Sequence, residues 1–169
     1  MSRLFAKFRS PKWQIFIKTP NRGFFSSMDS QGIKRVGKDI YVEPFSGEHK
    51  NTLIWMHGLG DSAEGFIDIF GQKQYSFVGE NTKVVLLTAP TQPVTINMGM
   101  SMPSWYDIFS LTKRDESSLD KEGVERSKAR VCEHIETEVA KLDGDYKRLF
   151  VGGFSQGCCM AIHIGLSHK

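Results

Sequence analysis

Three short, unbroken apolar runs punctuate the chain: NTLIWMHG at 51–58, KVVLLTAP at 83–90 and KRLFVGGF at 147–154. The first ends in glycine and the second, rich in β-branched residues, stops at Pro90, which predicts strands buried on both faces. DIYVEP at 39–44 alternates apolar and polar positions, the pattern of a half-exposed strand. Between these runs lie helical patterns. Val124, Val131, Ile135, Val139 and Leu142 recur at helical spacing from an acidic, Ser-containing start to a stop at Gly144. DSAEGFIDIFGQ at 61–72 supplies another helical stretch, and QGCCMAIHIGLSHK at 156–169 closes the chain as a third. Buried strands alternating with helices predict the α/β class, with a mostly parallel sheet covered on both sides by helices.

At 169 residues, 40% hydrophobic and 24% charged, the chain suits one soluble domain with a real core. No apolar run reaches the ~18 residues a membrane span requires. The net charge of +3 is unevenly spread: residues 1–28 carry six basic side chains and no acid. The remainder has 16 basic against 19 acidic side chains, a net charge of −3. A nucleic-acid binder places its positive charge on the folded body, so that class is excluded. Cys132, Cys158 and Cys159 show no CxxC spacing and follow no secretory signal, which implies a reducing compartment and small buried residues.

The leading segment MSRLFAKFRSPKWQIFIKTPNRGFFSSM is basic, acid-free and Ser-containing, and Leu4, Phe5 and Phe8 fit one face of a short helix. That is the composition of a mitochondrial presequence, with Arg22 before GFFSS as a processing site. A surface extension, or initiation at Met28, accounts for it equally. The expected location is therefore cytoplasmic, or mitochondrial if residues 1–28 act as an address.

Two glycine turns carry the chemistry. Gly153-Phe154-Ser155-Gln156-Gly157 follows a buried strand and opens a helix, the setting in which G-x-S-x-G forms a nucleophile elbow. The turn must be tight, so the residues two before and two after the serine must be small. Ser155 then sits strained at the strand end, over helix amides that favour developing negative charge. His57-Gly58-Leu59-Gly60-Asp61 follows another buried strand. An acyl-transfer oxyanion needs two N–H donors, and in hydrolases of this architecture they are the residue after the nucleophile and one in such a loop. Gln156 and Leu59 are the candidates, while His57 reads as packing at the strand end. A third stretch, APTQPVTINMGMSMPSWYDIFS at 89–110, lies on the same rim. Its Met98, Met100, Met102, Trp105 and Tyr106 suit either an apolar groove for a long acyl chain or ordinary packing.

LIWMHGLGDSAEGF, APTQPVTINMGMSMPSWYDI and VGGFSQG together closely resemble the acyl-protein thioesterases of the phospholipase/carboxylesterase family. The resemblance runs from about residue 36 to the last residue. It implies the α/β-hydrolase fold, a Ser-Asp-His triad, and hydrolysis of palmitoyl thioesters on protein cysteines, of carboxyl esters and of lysophospholipids. No cofactor or metal is implied. By position, Ser155 matches the nucleophile, and Leu59 and Gln156 match the oxyanion donors. Cys158 departs from the glycine of many relatives.

In this fold the triad runs Ser, Asp, His along the chain, yet no aspartate follows Ser155. His163 and His168 lie on the helix that Ser155 opens, roughly 12 and 20 Å along it at ~1.5 Å per residue, against a hydrogen-bond reach of about 3 Å. His49, His57 and His134 lie upstream and match no catalytic position. His134 and Glu138 are four apart, a metal-ligand spacing, but suit a solvated helix face. The expectation is a partial hydrolase domain without its triad Asp and His, its C-terminal strands missing, and inactive alone. LFVGG is then expected as an open edge, inviting aggregation or a partner chain. Three readings follow: a fragment or short form of an active thioesterase, an inactive binding or structural subunit, or a residual esterase using Ser155 and the oxyanion hole alone.

Overall fold

A computed structural model of the chain describes residues 6–7, 32–75, 77–112 and 118–168. Its strands in chain order are β1 (Ala6–Lys7), β2 (Ile33–Val36), β3 (Asp39–Val42), β4 (Asn51–Met56), β5 (Thr82–Leu87), β6 (Thr91–Val94), β7 (Met100–Pro103) and β8 (Leu149–Gly153). Six of them form one sheet in the order β1-β8-β4-β5-β3-β2. The three central strands β5, β4 and β8 are parallel. β1, β3 and β2 join antiparallel at the flanks, so the sheet is mixed around a parallel centre. β6 and β7 form a separate hairpin within the 89–110 stretch, an element the hydrophobic pattern does not announce.

The apolar runs are unbroken because both faces of the central strands are covered. Ile54, Met56, Val85, Leu87, Leu149 and Val151 pack on one side against Val131, Ile135 and Val139 of α2 (Lys121–Ala140), and against Met160, Ala161 and Ile164 of α3 (Gln156–Ser167). The alternate residues Leu53, Trp55, Val84 and Leu86 pack on the other side against Ala63 and Phe66 of a 3-10 turn and Phe70 of α1 (Ile67–Phe70). This is the period of two expected of strands. Helix α2 starts where the Asp120 carboxylate accepts the Gly123 N–H at 2.9 Å, a side-chain cap for an otherwise unpaired amide. It ends at Ala140, and the chain turns back through left-handed Asp143 and Gly144.

Two charged clusters beneath α2 correct the polar pattern. Asp39 is not on an exposed strand face: it is 9% exposed, and its carboxylate accepts Arg130 at 2.8 and 2.7 Å and the Thr88 N–H at 2.8 Å. Glu138 is not on a solvated helix face either. It is 1% exposed and pairs with Lys83 at 3.0 Å and Lys141 at 2.6 Å. Burial pushes its carboxyl up, but the two ammonium groups outweigh that and hold it below the usual range. His134 belongs to the other cluster, 3.7 Å from Asp39 and 3.5 Å from the Tyr41 hydroxyl. The spacing of His134 and Glu138 therefore serves two separate contacts.

The expectation of a bare β8 edge is also corrected. β1 pairs antiparallel with β8, Ala6 opposite Val151 and Lys7 opposite Phe150. The chain's own N-terminal segment thus occupies, over two residues, the position that suggested a second chain. The remainder of the 1–28 segment, with its presequence reading, lies outside the described residues.

Removing Glu138 leaves the buried Lys83 ammonium without its closest countercharge. Glu138→Leu alone is expected to cost about 3–5 kcal/mol in urea unfolding, and the double change Lys83→Met with Glu138→Leu to recover most of that loss.

Candidate active site

The end of β8 and the start of α3 meet at Ser155, whose backbone is held at φ 51 and ψ −117. A non-glycine residue in such a conformation costs on the order of 1–3 kcal/mol, so the surroundings must impose it. They do so by hydrogen bonds: Phe154 N–H donates to Met56 O at 3.0 Å, Gly157 N–H to Phe154 O at 2.9 Å, and Cys158 N–H to Ser155 O at 3.0 Å. The glycines are sterically required. A Cβ on Gly153 would lie 2.4 Å from the Gly157 carbonyl, and one on Gly157 would lie 2.3 Å from Met56 O and 2.5 Å from His57 O. The Ser155 side chain remains exposed.

The turn after β4 lies directly against this elbow. A Cβ on Gly58 would be 3.1 Å from the Phe154 ring and 3.3 Å from the Ser155 Cβ. Gly60, at φ 78, lets the chain leave the turn, and its N–H donates to Pro103 O at 2.9 Å. Gln156 is the first residue of α3, so its N–H has no intrahelical acceptor. The Leu59 N–H makes no backbone hydrogen bond among the described residues. Ser155, Gln156 and the Gly58–Gly60 turn thus share one rim at the C-terminal ends of the parallel strands.

The Gln156 side chain does something its sequence position does not announce. It is 4% exposed, and its Oε1 accepts the Trp105 N–H at 2.9 Å. Its Nε2 donates to Ser104 Oγ at 3.0 Å and to Tyr106 O at 2.7 Å. One carboxamide therefore ties the 104–106 loop to the elbow.

Of the residues suggested for an acyl groove, Trp105 is placed elsewhere. It is 1% exposed, its ring lies 5.3 Å from that of His57, and its indole N–H donates to His57 O at 2.9 Å. It is a core residue that braces the site and lines no open groove. Met98 and Met100 are 90% and 55% exposed on the β6–β7 hairpin. Met102 is half-buried, with its Sδ 3.7 Å from the Cβ position of Gly60. Phe154, beside the serine and 47% exposed, adds an aromatic face that the motif alone does not mark as a contact surface. The cysteines also differ from the buried role expected of them. Cys159 is exposed and Cys132 and Cys158 are half-buried, all three unbridged.

All five histidines are engaged away from Ser155. His49 Nε2 bonds Thr52 at 2.8 Å, and His163 Nε2 bonds Glu125 at 3.0 Å. His168 Nδ1 lies 3.4 Å from the Cys132 sulfur. His134 faces Tyr41 and Asp39. His57 is buried between Gly58 O at 2.5 Å from its Nδ1 and the Ala89 N–H at 2.9 Å from its Nε2, and burial holds its pKa below the usual 6.5.

The phospholipase/carboxylesterase family matches residues 38–169, which span β4, both glycine turns and the elbow. The chain belongs to that family. It is 39% identical over 129 residues to acyl-protein thioesterase 1 of Schizosaccharomyces pombe, covering 76% of this chain and 54% of that protein. It is 42% identical over 126 residues to acyl-protein thioesterase 1 of Cryptococcus neoformans, covering 74% and 51%. Among solved structures, acyl-protein thioesterase 2 of Zea mays superposes with a TM-score of 0.59 at 31% identity, over 76% of this chain and 51% of that one. The fold is that of the α/β-hydrolases. The chain spans about half the length of the curated relatives it matches.

Steric demand at the elbow separates its glycines. Gly157→Ala, with a backbone carbonyl at 2.3 Å, is expected to cost about 3 kcal/mol or more in thermal unfolding. Gly58→Ala meets a movable Phe154 ring at 3.1 Å and is expected to cost about 1 kcal/mol.

Proposed function

We propose that the protein family member to which this chain belongs hydrolyses acyl thioesters on protein cysteines, palmitoyl thioesters foremost, together with related carboxyl esters. The observation that carries this reading is the strained Ser155 at the start of α3, with Gly58 packed against it. The names of its relatives support the choice of thioester over other acyl substrates.

In this reading Ser155 Oγ attacks the thioester carbonyl, and the resulting oxyanion is held by the Leu59 and Gln156 N–H groups. The C–S bond breaks and the departing sulfur takes up a proton. Water then cleaves the acyl-serine ester, releasing the fatty acid and restoring the hydroxyl. Met98, Met100, Met102 and Phe154 offer the apolar rim along which an acyl chain lies. Trp105 and the Gln156 side chain hold the loop beneath it. The place of action is the cytoplasm, or the mitochondrion where residues 1–28 serve as an address.

A base must take the serine proton, and each of the five histidines is bonded elsewhere. On this reading the 169-residue chain by itself is essentially inactive as a thioesterase. An oxyanion site without a complete triad still retains a residual rate ~10³–10⁴-fold over water. That same placement favours a second reading, in which the chain alone binds acyl groups without turning them over.

Purified 169-residue chain treated with a fluorophosphonate probe and a palmitoyl-thioester substrate tests both. Slow labelling that Ser155→Ala abolishes, with thioester turnover far below the ~1–10³ s⁻¹ of ordinary enzymes, is expected. Turnover at that ordinary rate would show that a base is within reach. Labelling that survives Ser155→Ala would remove the serine from its role.

A further inference from the structure

The two carbonyls that begin the glycine turn are each held by a side chain. The Trp105 indole N–H donates to His57 O at 2.9 Å. The His57 ring turns back on its own loop, with Nδ1 2.5 Å from Gly58 O, and the Asp61 N–H reaches the same oxygen at 3.2 Å. The direction of the ring's proton follows from the second contact. The Ala89 amide is a donor, so Nε2, at 2.9 Å from it, must be the acceptor. A neutral imidazole has one donor and one acceptor nitrogen, so the proton is on Nδ1 and points at Gly58 O.

The Gly58 carbonyl and the Leu59 N–H belong to one planar trans peptide, in which C=O and N–H point in opposite directions. Whatever fixes the carbonyl fixes the amide. We propose that His57 is a positioning residue of the oxyanion site, aiming the Leu59 N–H by anchoring the Gly58 carbonyl on the opposite side of the same peptide. This rests on the reading of Ser155 and Leu59 given above. It assigns His57 a part in the chemistry without contact with substrate or with the serine. Gly58 is the weak point of the turn, since a residue without Cβ has the widest choice of backbone angles. Its closeness to Ser155, 3.3 Å from a Cβ position to the serine Cβ, leaves little room for a side chain that would restrict it. A hydrogen bond from His57 supplies the restriction instead. The Ala89 amide, at the end of the neighbouring strand, in turn fixes the ring.

Two conservative variants separate aiming from packing. His57→Asn keeps an amide N–H near the Nδ1 position and loses the acceptor for Ala89. His57→Gln keeps an acceptor near the Nε2 position and loses the donor to Gly58 O. On the 169-residue chain, residual fluorophosphonate labelling of Ser155 reports the oxyanion site without a base to mask it. Loss of a whole oxyanion donor costs ~10²–10³-fold. His57→Gln is therefore expected to slow labelling by about 30-fold or more, and His57→Asn by less than about 5-fold. Equal slowing in both, or greater slowing in His57→Asn, overturns the proposal. The wild-type ring gives a second, independent reading by ¹⁵N NMR. A proton on Nδ1 supports the proposal, and a proton on Nε2 overturns it whether or not either variant folds. If the missing base leaves the wild-type chain unlabelled, the ring measurement alone decides the case for His57.

Discussion

The site is governed by a contact between backbones. The end of β8 and the first turn of α3 press against the end of β4 so closely that Gly157 stands where a methyl group would enter the Met56 and His57 carbonyls. Parallel pairing of β4 with β8, Trp55 opposite Gly152 and Met56 opposite Gly153, brings the two strand ends level. Both glycine turns therefore leave the sheet at the same height. The placement of Ser155 beside the Gly58–Gly60 turn is a consequence of that register and of the missing side chains at Gly58 and Gly157.

Such closeness leaves the turns little support of their own, and buried polar groups provide it. Gln156 reaches one way from the elbow to Ser104, Trp105 and Tyr106. Trp105 continues to His57 O, and its own carbonyl accepts the Ser127 hydroxyl from α2. The result is a closed circuit from α3 through the 104–106 loop to the β4 turn and back across the glycine contact. The side-chain donors of Gln156, Trp105 and Ser127 along it each meet an acceptor, which is the condition under which buried polar groups make a site rigid. Preorganised dipoles of this kind need no rearrangement when charge develops.

Much of this was legible in the chain itself, for reasons that differ by element. The central strands declare themselves because both faces are buried, so Leu53 through Met56 and Val84 through Leu87 are apolar without alternation. The elbow is readable because its glycines answer a local steric demand within five residues. Asp39 is buried in a strand whose pattern reads as half-exposed, because its partner, Arg130, lies 91 positions away, and nothing in a strand's own pattern reveals a distant guanidinium. Glu138 was misread for the same reason, its partner Lys83 being 55 positions distant. Trp105 lies in a loop whose neighbours Met100 and Met102 are exposed or half-exposed, so composition left groove and packing equally open, and a buried hydrogen bond to His57 O decides for packing. The side-chain role of Gln156 carried no signal, since the motif leaves that position open.

The placement of the methionines divides the molecule by chemical durability. Met56 and Met160 lie sealed in the core at 0% and 1% exposure, whereas Met98 is 90% open at the hairpin tip and Met100 55%. Oxidants convert an accessible thioether to a polar sulfoxide. Such damage falls first on the hairpin beside the elbow, turning its exposed apolar rim polar, while the sheet beneath and the serine itself stay intact.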